Sequence, residues 1–152
     1  MDNQSSQDVK ADPFDLERFL KAQEGVYDQA LAELRRGQKE GHWMWFIFPQ
    51  IDGLGRSSTA RFYAIKSPKE AEAYLGHPVL GTRLVECSKA LLGLKGMAAA
   101  EIFGFPDELK LRSSMTLFAG ISEADSVFAR VLGQYFQGRP DLRTLELLRI
   151  PK

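Results

Sequence analysis

The sequence predicts an all-α fold: a compact multi-helical single domain of about eight short helices, not a regular bundle. Three observations carry this. Apolar residues recur at helical spacing in most segments, helix starts and stops punctuate the chain at short intervals, and no stretch alternates cleanly with period two as a half-buried strand would. The 152 residues suit one domain, and 44% hydrophobic with 26% charged are ordinary globular proportions. A chain of this size buries roughly 68–70% of its unfolded surface, enough for a self-sufficient core.

Residues 1–12, rich in Asn, Gln, Ser and Asp, read as a disordered leader ahead of a helical domain over 13–150. The first helix is expected near Phe14, with Leu16, Phe19 and Leu20 on one face, and Gly25 interrupts it. Tyr27, Ala30, Leu31 and Leu34 line a second helix, with Arg35, Arg36 and Lys39 near its end, where cations suit the dipole, and with Gly37 and Gly41 bracketing its exit. Gly41 to Gln50 follows. It holds both tryptophans and two of the ten phenylalanines, and marks the centre of the core. Periodicity alone leaves it strand or helix, and its helical neighbours favour a short helix. Trp43 or Trp45, and on this reading both, are expected to be largely buried there.

Gly53 to Ser58 reads as a loop leading into a short helix through Ala60, Phe62 and Tyr63. Ser67-Pro68-Lys69-Glu70 is a helix start: Ser67 at the N-cap, Pro68 at the first position, Glu70 completing a capping box. This helix ends near Gly76, and His77-Pro78 restarts the chain. Leu80, Leu84, Cys87, Leu91 and Leu94 then form one long apolar stripe, closed by Gly93 and Gly96. Ala98 to Phe103 gives one or two turns. Asp107 to Ala119 is helical, with Leu111, Met115 and Phe118 inward. Asp125 or Ser126 caps the segment holding Val127 to Phe136, and Asp141 caps a last short helix through Leu145 and Leu148.

Composition excludes several classes. Lys plus Arg equals Asp plus Glu, 20 against 20, which argues against nonspecific nucleic-acid binding. The single cysteine, Cys87, allows no internal disulfide and no cysteine-rich zinc site. No apolar run reaches the roughly 18 residues that span a bilayer, and residues 1–12 lack an apolar signal core, so a soluble cytoplasmic protein is expected. There is no P-loop, Gly-x-Ser-x-Gly, His-Glu-x-x-His or complete Gly-x-Gly-x-x-Gly, and no cofactor is implied. Two histidines, even with Asp52, do not fix a metal site.

Some polar residues lie where a core does not require them. His42 either bonds a helix start or serves as acid, base or ligand contact. His77 reads as a helix cap or a site residue. Gly55-Arg56-Ser57-Ser58 and Lys110-Leu111-Arg112-Ser113-Ser114-Met115-Thr116 each set cations beside hydroxyls, a pattern that serves as caps and solvated surface or holds a phosphate or carboxylate. Ser113, Ser114 and Thr116 lie inside a helix, where such residues seek partners. Facing the tryptophan segment, they would line a polar and aromatic pocket.

The blocks His42 to Gln50, Gly53 to Ser57, His77 to Leu84 and Lys110 to Phe118 resemble the bacterial family called domain of unknown function 1810, over about Asp15 to Leu148. The resemblance implies a small, mainly α-helical domain and no established biochemical role. The label calpastatin, carried by some relatives, is not transferred, because a disordered inhibitor would not have this aromatic-rich composition. The same blocks carry His42, Gln50, Arg56, Ser57, His77, Arg83, Lys110, Ser113 and Ser114 beside core aromatics such as Trp43. Converging, they would bind a small anionic or nucleotide-like ligand, with His42 as the candidate acid or base. One alternative is a protein-interaction or structural module whose polar motifs are buried networks. Another is an enzyme acting on ADP-ribose-type derivatives. The geometric expectation is that His42 or Arg56 shares a cleft with Lys110, Ser113 or Ser114.

Overall fold

Apolar stripes this short cannot be buried by two or three long helices, so the chain turns often and packs many. The computed structural model describes residues 11–149; the expected leader therefore lies, for residues 1–10, outside the described residues. There are ten helices among them: α1 Glu17–Gln23, α2 Tyr27–Arg36, α3 Met44–Ile47, α4 Ser58–Tyr63, α5 Pro68–Gly76, α6 Leu80–Leu92, α7 Ala99–Phe103, α8 Asp107–Gly120, α9 Val127–Phe136 and α10 Leu142–Arg149. The excess over about eight comes from single-turn pieces such as α3 and α7. The described residues contain no strand, only an isolated parallel bridge between Ile51 and Ile65.

Local chemistry explains the boundaries. α1 starts at Glu17 rather than near Phe14, because the Asp12 carboxylate accepts from the Leu16 and Glu17 amides at 2.8 and 3.1 Å. α2 stops at Gly37, which takes the left-handed φ of +78° that glycine adopts without strain. Ser57, Ser67 and Ser126 cap α4, α5 and α9, each accepting from an amide three residues on. The capping box at α5 is only half formed. The Glu70 carboxylate turns to the Lys66 amide and the Arg18 guanidinium, because Arg18 is buried and needs a counter-charge.

α8 runs through the interior and packs on α5, α7, α9 and α10. Its residues from Ser113 to Phe118 are all buried. Trp43, Phe48 and Phe103 form one aromatic group, and Phe19, Tyr74, Phe118 and Phe128 form a chain of rings across the rest of the core. α5 and α6 touch so closely at Gly81 that a Cβ there would lie 1.8 Å from the Leu75 carbonyl oxygen.

Three buried polar clusters pin this core. Arg18 donates to the carbonyls of Phe14, Asp15, Phe62 and Ala64 and to Glu70, at 2.7–2.9 Å, using the full donor set of a guanidinium. Gln23 donates to the Phe46 carbonyl and the Tyr74 hydroxyl and accepts from Arg83. Glu33, 1% exposed, accepts from the Glu40 and Gly41 amides, the Trp43 indole N–H and Gln29.

Candidate functional site

The tryptophan segment folds as expected at one end and differently at the other. Trp43 is 1% exposed, its ring N–H held by Glu33 at 2.8 Å. Trp45 is only half-buried, contrary to the expected burial, because one side of its ring borders a cleft. That cleft, of about 160 Å³, lies between the Gln50–Gly55 loop and the start of α8. Trp45, Gln50, Leu54, Leu109, Lys110 and Ser113 line it, with Gly55 and Pro106 at the edge. A crevice of about 10 Å³, the size of one water, adjoins it behind the same loop and shares Trp45 and Gln50.

The loop is fixed from below. The Ile65 amide donates to the Gln50 carbonyl and the Asp52 amide to the Ile65 carbonyl, both at 2.8 Å. The backbone of Gln50 is therefore committed, while its half-buried side-chain amide has no hydrogen-bond partner among the described residues. Lys110 Nζ stands 3.9 Å above the centre of the Trp45 ring and 3.3 Å from Asp107 Oδ1. The other carboxylate oxygen of Asp107 binds Lys39 Nζ at 2.8 Å, and Lys39 in turn lies 5.0 Å over the Trp43 ring and donates to the Gly41 carbonyl. Two ammonium groups thus share one carboxylate, and each rests on a tryptophan face, a favourable place for a cation. The Ser113 hydroxyl donates its one proton to the Leu109 carbonyl at 3.2 Å and presents only lone pairs to the cleft.

The remaining candidates are dispersed. His42 is exposed and is not among the cleft-lining residues. Arg56 is exposed one residue beyond Gly55 and does not itself line the cleft. Ser57 caps α4. His77 Nδ1 accepts from the Val79 and Leu80 amides at 3.1 and 3.2 Å, so it caps the start of α6. Arg83 bonds Gln23 and lies 4.6 Å over the Tyr27 ring. Ser114 is fully buried, and its hydroxyl has no partner among the described residues. The three hydroxyls of α8 therefore do not act as a row: Thr116 donates to the Arg112 carbonyl and accepts from the Asp141 amide.

Burial opposes the charge of Glu33, yet the Gly41 and Glu40 amides, Gln29 and the Trp43 N–H outweigh it and hold the carboxyl down at about 2. Burial pushes the Cys87 thiol up to about 12, which fits a packing role on the stripe of α6. It raises the Tyr27 and Tyr74 hydroxyls as well, and Tyr27 donates to Glu86.

Sequence reasoning overlooked Arg18, Gln23 and Glu33. A usable signal existed for Glu33, which lies three residues after Ala30 and six after Tyr27, on the inward side of α2.

The fold and the cleft define a small all-helical protein with an aromatic, single-cation depression beside its central helix. The chain belongs to the family described as protein of unknown function (DUF1810), and the match covers residues 13–148. It is similar to the conserved hypothetical protein Rv1873 from Mycobacterium tuberculosis, whose crystal structure is known. The two are 51% identical over 92% of this chain and 100% of that one, with a TM-score of 0.90. No curated protein matches the chain. No helix of the described residues is long and apolar enough to cross a membrane.

Proposed function

We propose that the chain binds a small anion, a carboxylate or phosphate with a compact body, in the cleft between Trp45 and Lys110. The observation that carries this reading is the side chain of Gln50. It is half-buried, lines the cleft and is unpartnered among the described residues, while Lys110 and Ser113 border the same space. A half-buried amide with no protein partner is served by solvent, and an anion entering the cleft would take the place of that water. Lys110 supplies charge, the Gln50 amide N–H fixes orientation, and Trp45 and Leu54 cover the apolar side.

Size narrows the class. Sites for drug-sized molecules run to about 300–1,000 Å³, and a cavity of roughly 150 Å³ holds a single benzene-sized ring. A cleft of about 160 Å³ therefore suits a single-ring or smaller anion rather than a whole nucleotide or an ADP-ribose derivative. The position of His42 outside the cleft favours binding over acid–base chemistry by that residue.

A second reading, an interaction module with structural polar networks, draws on Phe105, 80% exposed, and Leu109 beside the cleft. Tryptophan fluorescence titration with phosphate, acetate and benzoate separates the two. A saturable change with Kd below about 1 mM is expected, weakened about tenfold or more by Lys110→Met and by Gln50→Leu. Absence of saturation with all three anions, or titrations that ignore both substitutions, would leave the module reading.

A further inference from the structure

A larger depression, about 570 Å³, opens where the segment before α1 meets the turn between α4 and α5, and it shares no lining residue with the Trp45 cleft. Phe14, Arg18, Arg61, Phe62, Lys66 and Glu70 border it. Arg18 and Glu70 form its built part: their ion pair is buried at 2.7 Å, and Arg18 also ties down the carbonyls of Phe14 and Phe62. The backbone points from which both rings leave the chain are thereby fixed. Phe62 nonetheless stays 54% exposed and Phe14 half-buried.

The charges complete the picture. Arg61 and Lys66 are exposed, and neither has a carboxylate within ion-pair distance among the described residues. Lys66 Nζ is held by the Arg61 and Ala64 carbonyls at 2.8 and 3.3 Å, which fixes the ammonium and leaves it one donor to give. Part of the entropy cost of ordering a lysine on a ligand is thus already met. The one further carboxylate at the rim is Asp15. Three cations against two carboxylates leave the groove one net positive charge.

We propose that this groove is a second binding site, for an aromatic anion of the size of a nucleoside monophosphate. The ring system lies against Phe14 and Phe62, and the phosphate takes Arg61 and Lys66. The volume falls inside the range of small-molecule sites, where the Trp45 cleft falls below it. Base–aromatic stacking contributes roughly five- to 150-fold in affinity without choosing among bases, so ring size and charge set the class and the base does not.

The test is isothermal titration of the full chain carrying Lys110→Met, which weakens anion binding at the Trp45 cleft, with adenosine, guanosine, cytidine and uridine monophosphates, and with adenosine and inorganic phosphate as separate arms. At least one monophosphate should bind with Kd below about 1 mM, and about tenfold tighter than either fragment. Phe62→Ala and Arg61→Gln, both at exposed positions, should each weaken it about tenfold while leaving the fold intact. With Lys110 restored, the same site should titrate with the same Kd beside any binding at the cleft of the proposed function. The proposal is overturned if no monophosphate binds the Lys110→Met chain, if phosphate alone binds it as tightly, or if Phe62→Ala and Arg61→Gln have no effect. Tighter binding of a short single-stranded oligonucleotide would likewise overturn the assignment to a free small molecule.

Discussion

Glu33→Gln tests the central anchor of the fold. The native carboxylate takes four N–H donors, at 2.8–3.0 Å, from Glu40, Gly41, Trp43 and Gln29, and so ties α2 to the tryptophan segment. Its pKa stands at about 2 against an ordinary 4.5. At about 1.4 kcal/mol for each tenfold change in proton affinity, ionised Glu33 stabilises the fold by about 3 kcal/mol at neutral pH. Because the folded value lies below the unfolded one, this contribution is complete above roughly pH 5.5. It fades as pH falls through 4.5 toward 2, where both states hold the proton. The amide cannot ionise, so the stability gap between parent and variant should be about 3 kcal/mol at pH 7 and shrink steadily toward pH 2. Urea unfolding followed by circular dichroism at pH 7, 4 and 3 measures it, and taking the difference cancels every other titrating group. A gap under about 1 kcal/mol at pH 7, or one that does not move with pH, would refute the assignment of this carboxylate as a charged anchor.

Three other outcomes are expected. Gly81→Ala should cost about 3 kcal/mol or more, since its new methyl meets the Leu75 carbonyl oxygen and backbone cannot step aside; an unchanged melting temperature would mean that α5 and α6 separate easily. Arg18→Met should cost about 3–5 kcal/mol by leaving Glu70 buried and unpaired, and Arg18→Met with Glu70→Met should recover much of that loss in chemical denaturation. Trp43→Ala should cost at least about 3–5 kcal/mol, while Trp45→Ala, at the edge of the cleft, should cost only about 2; equal losses would contradict the difference in burial.

Helix positions were legible because they rest on local rules. The stripe from Leu80 to Leu91, the caps at Ser67 and Ser126, and the glycine stop at Gly37 all act within a turn or two of themselves. The buried networks were not legible in the same way. Arg18 and Glu70 are 52 residues apart, and Gln23 and Arg83 are 60 apart. Nothing in the neighbourhood of either partner announces such a pairing, because a buried arginine and a solvated one have the same local sequence. The cleft stands between these cases. Two apolar anchors flank Gln50 and Lys110, and burying both brings the polar edges together, but the turn that sends His42 outward depends on the Glu33 cluster. The half-exposure of Trp45 has the same origin: Glu33 claims one tryptophan and leaves the other to the surface.

Donor accounting separates scaffold from site, and it makes one last prediction. Gln23 and Gln50 are the same residue type, both beside the tryptophan segment. The amide of Gln23 is 2% exposed and bonded to Phe46, Tyr74 and Arg83, so Gln23→Leu strands a carbonyl, a hydroxyl and a guanidinium donor in the core. Each stranded buried group costs about 1–3 kcal/mol, and a loss of about 3 kcal/mol or more is expected. The Gln50 amide has no partner to strand among the described residues, and its removal should change stability by no more than about 0.5 kcal/mol. If Gln50 is a ligand contact, Gln50→Leu instead weakens anion binding about tenfold or more while leaving the melting curve of the free protein in place. Measuring both variants by thermal unfolding, with and without phosphate or benzoate, decides the matter. A Gln50→Leu protein as destabilised as Gln23→Leu would show that Gln50 belongs to the structural network, and the cleft would lose the residue on which its functional reading rests.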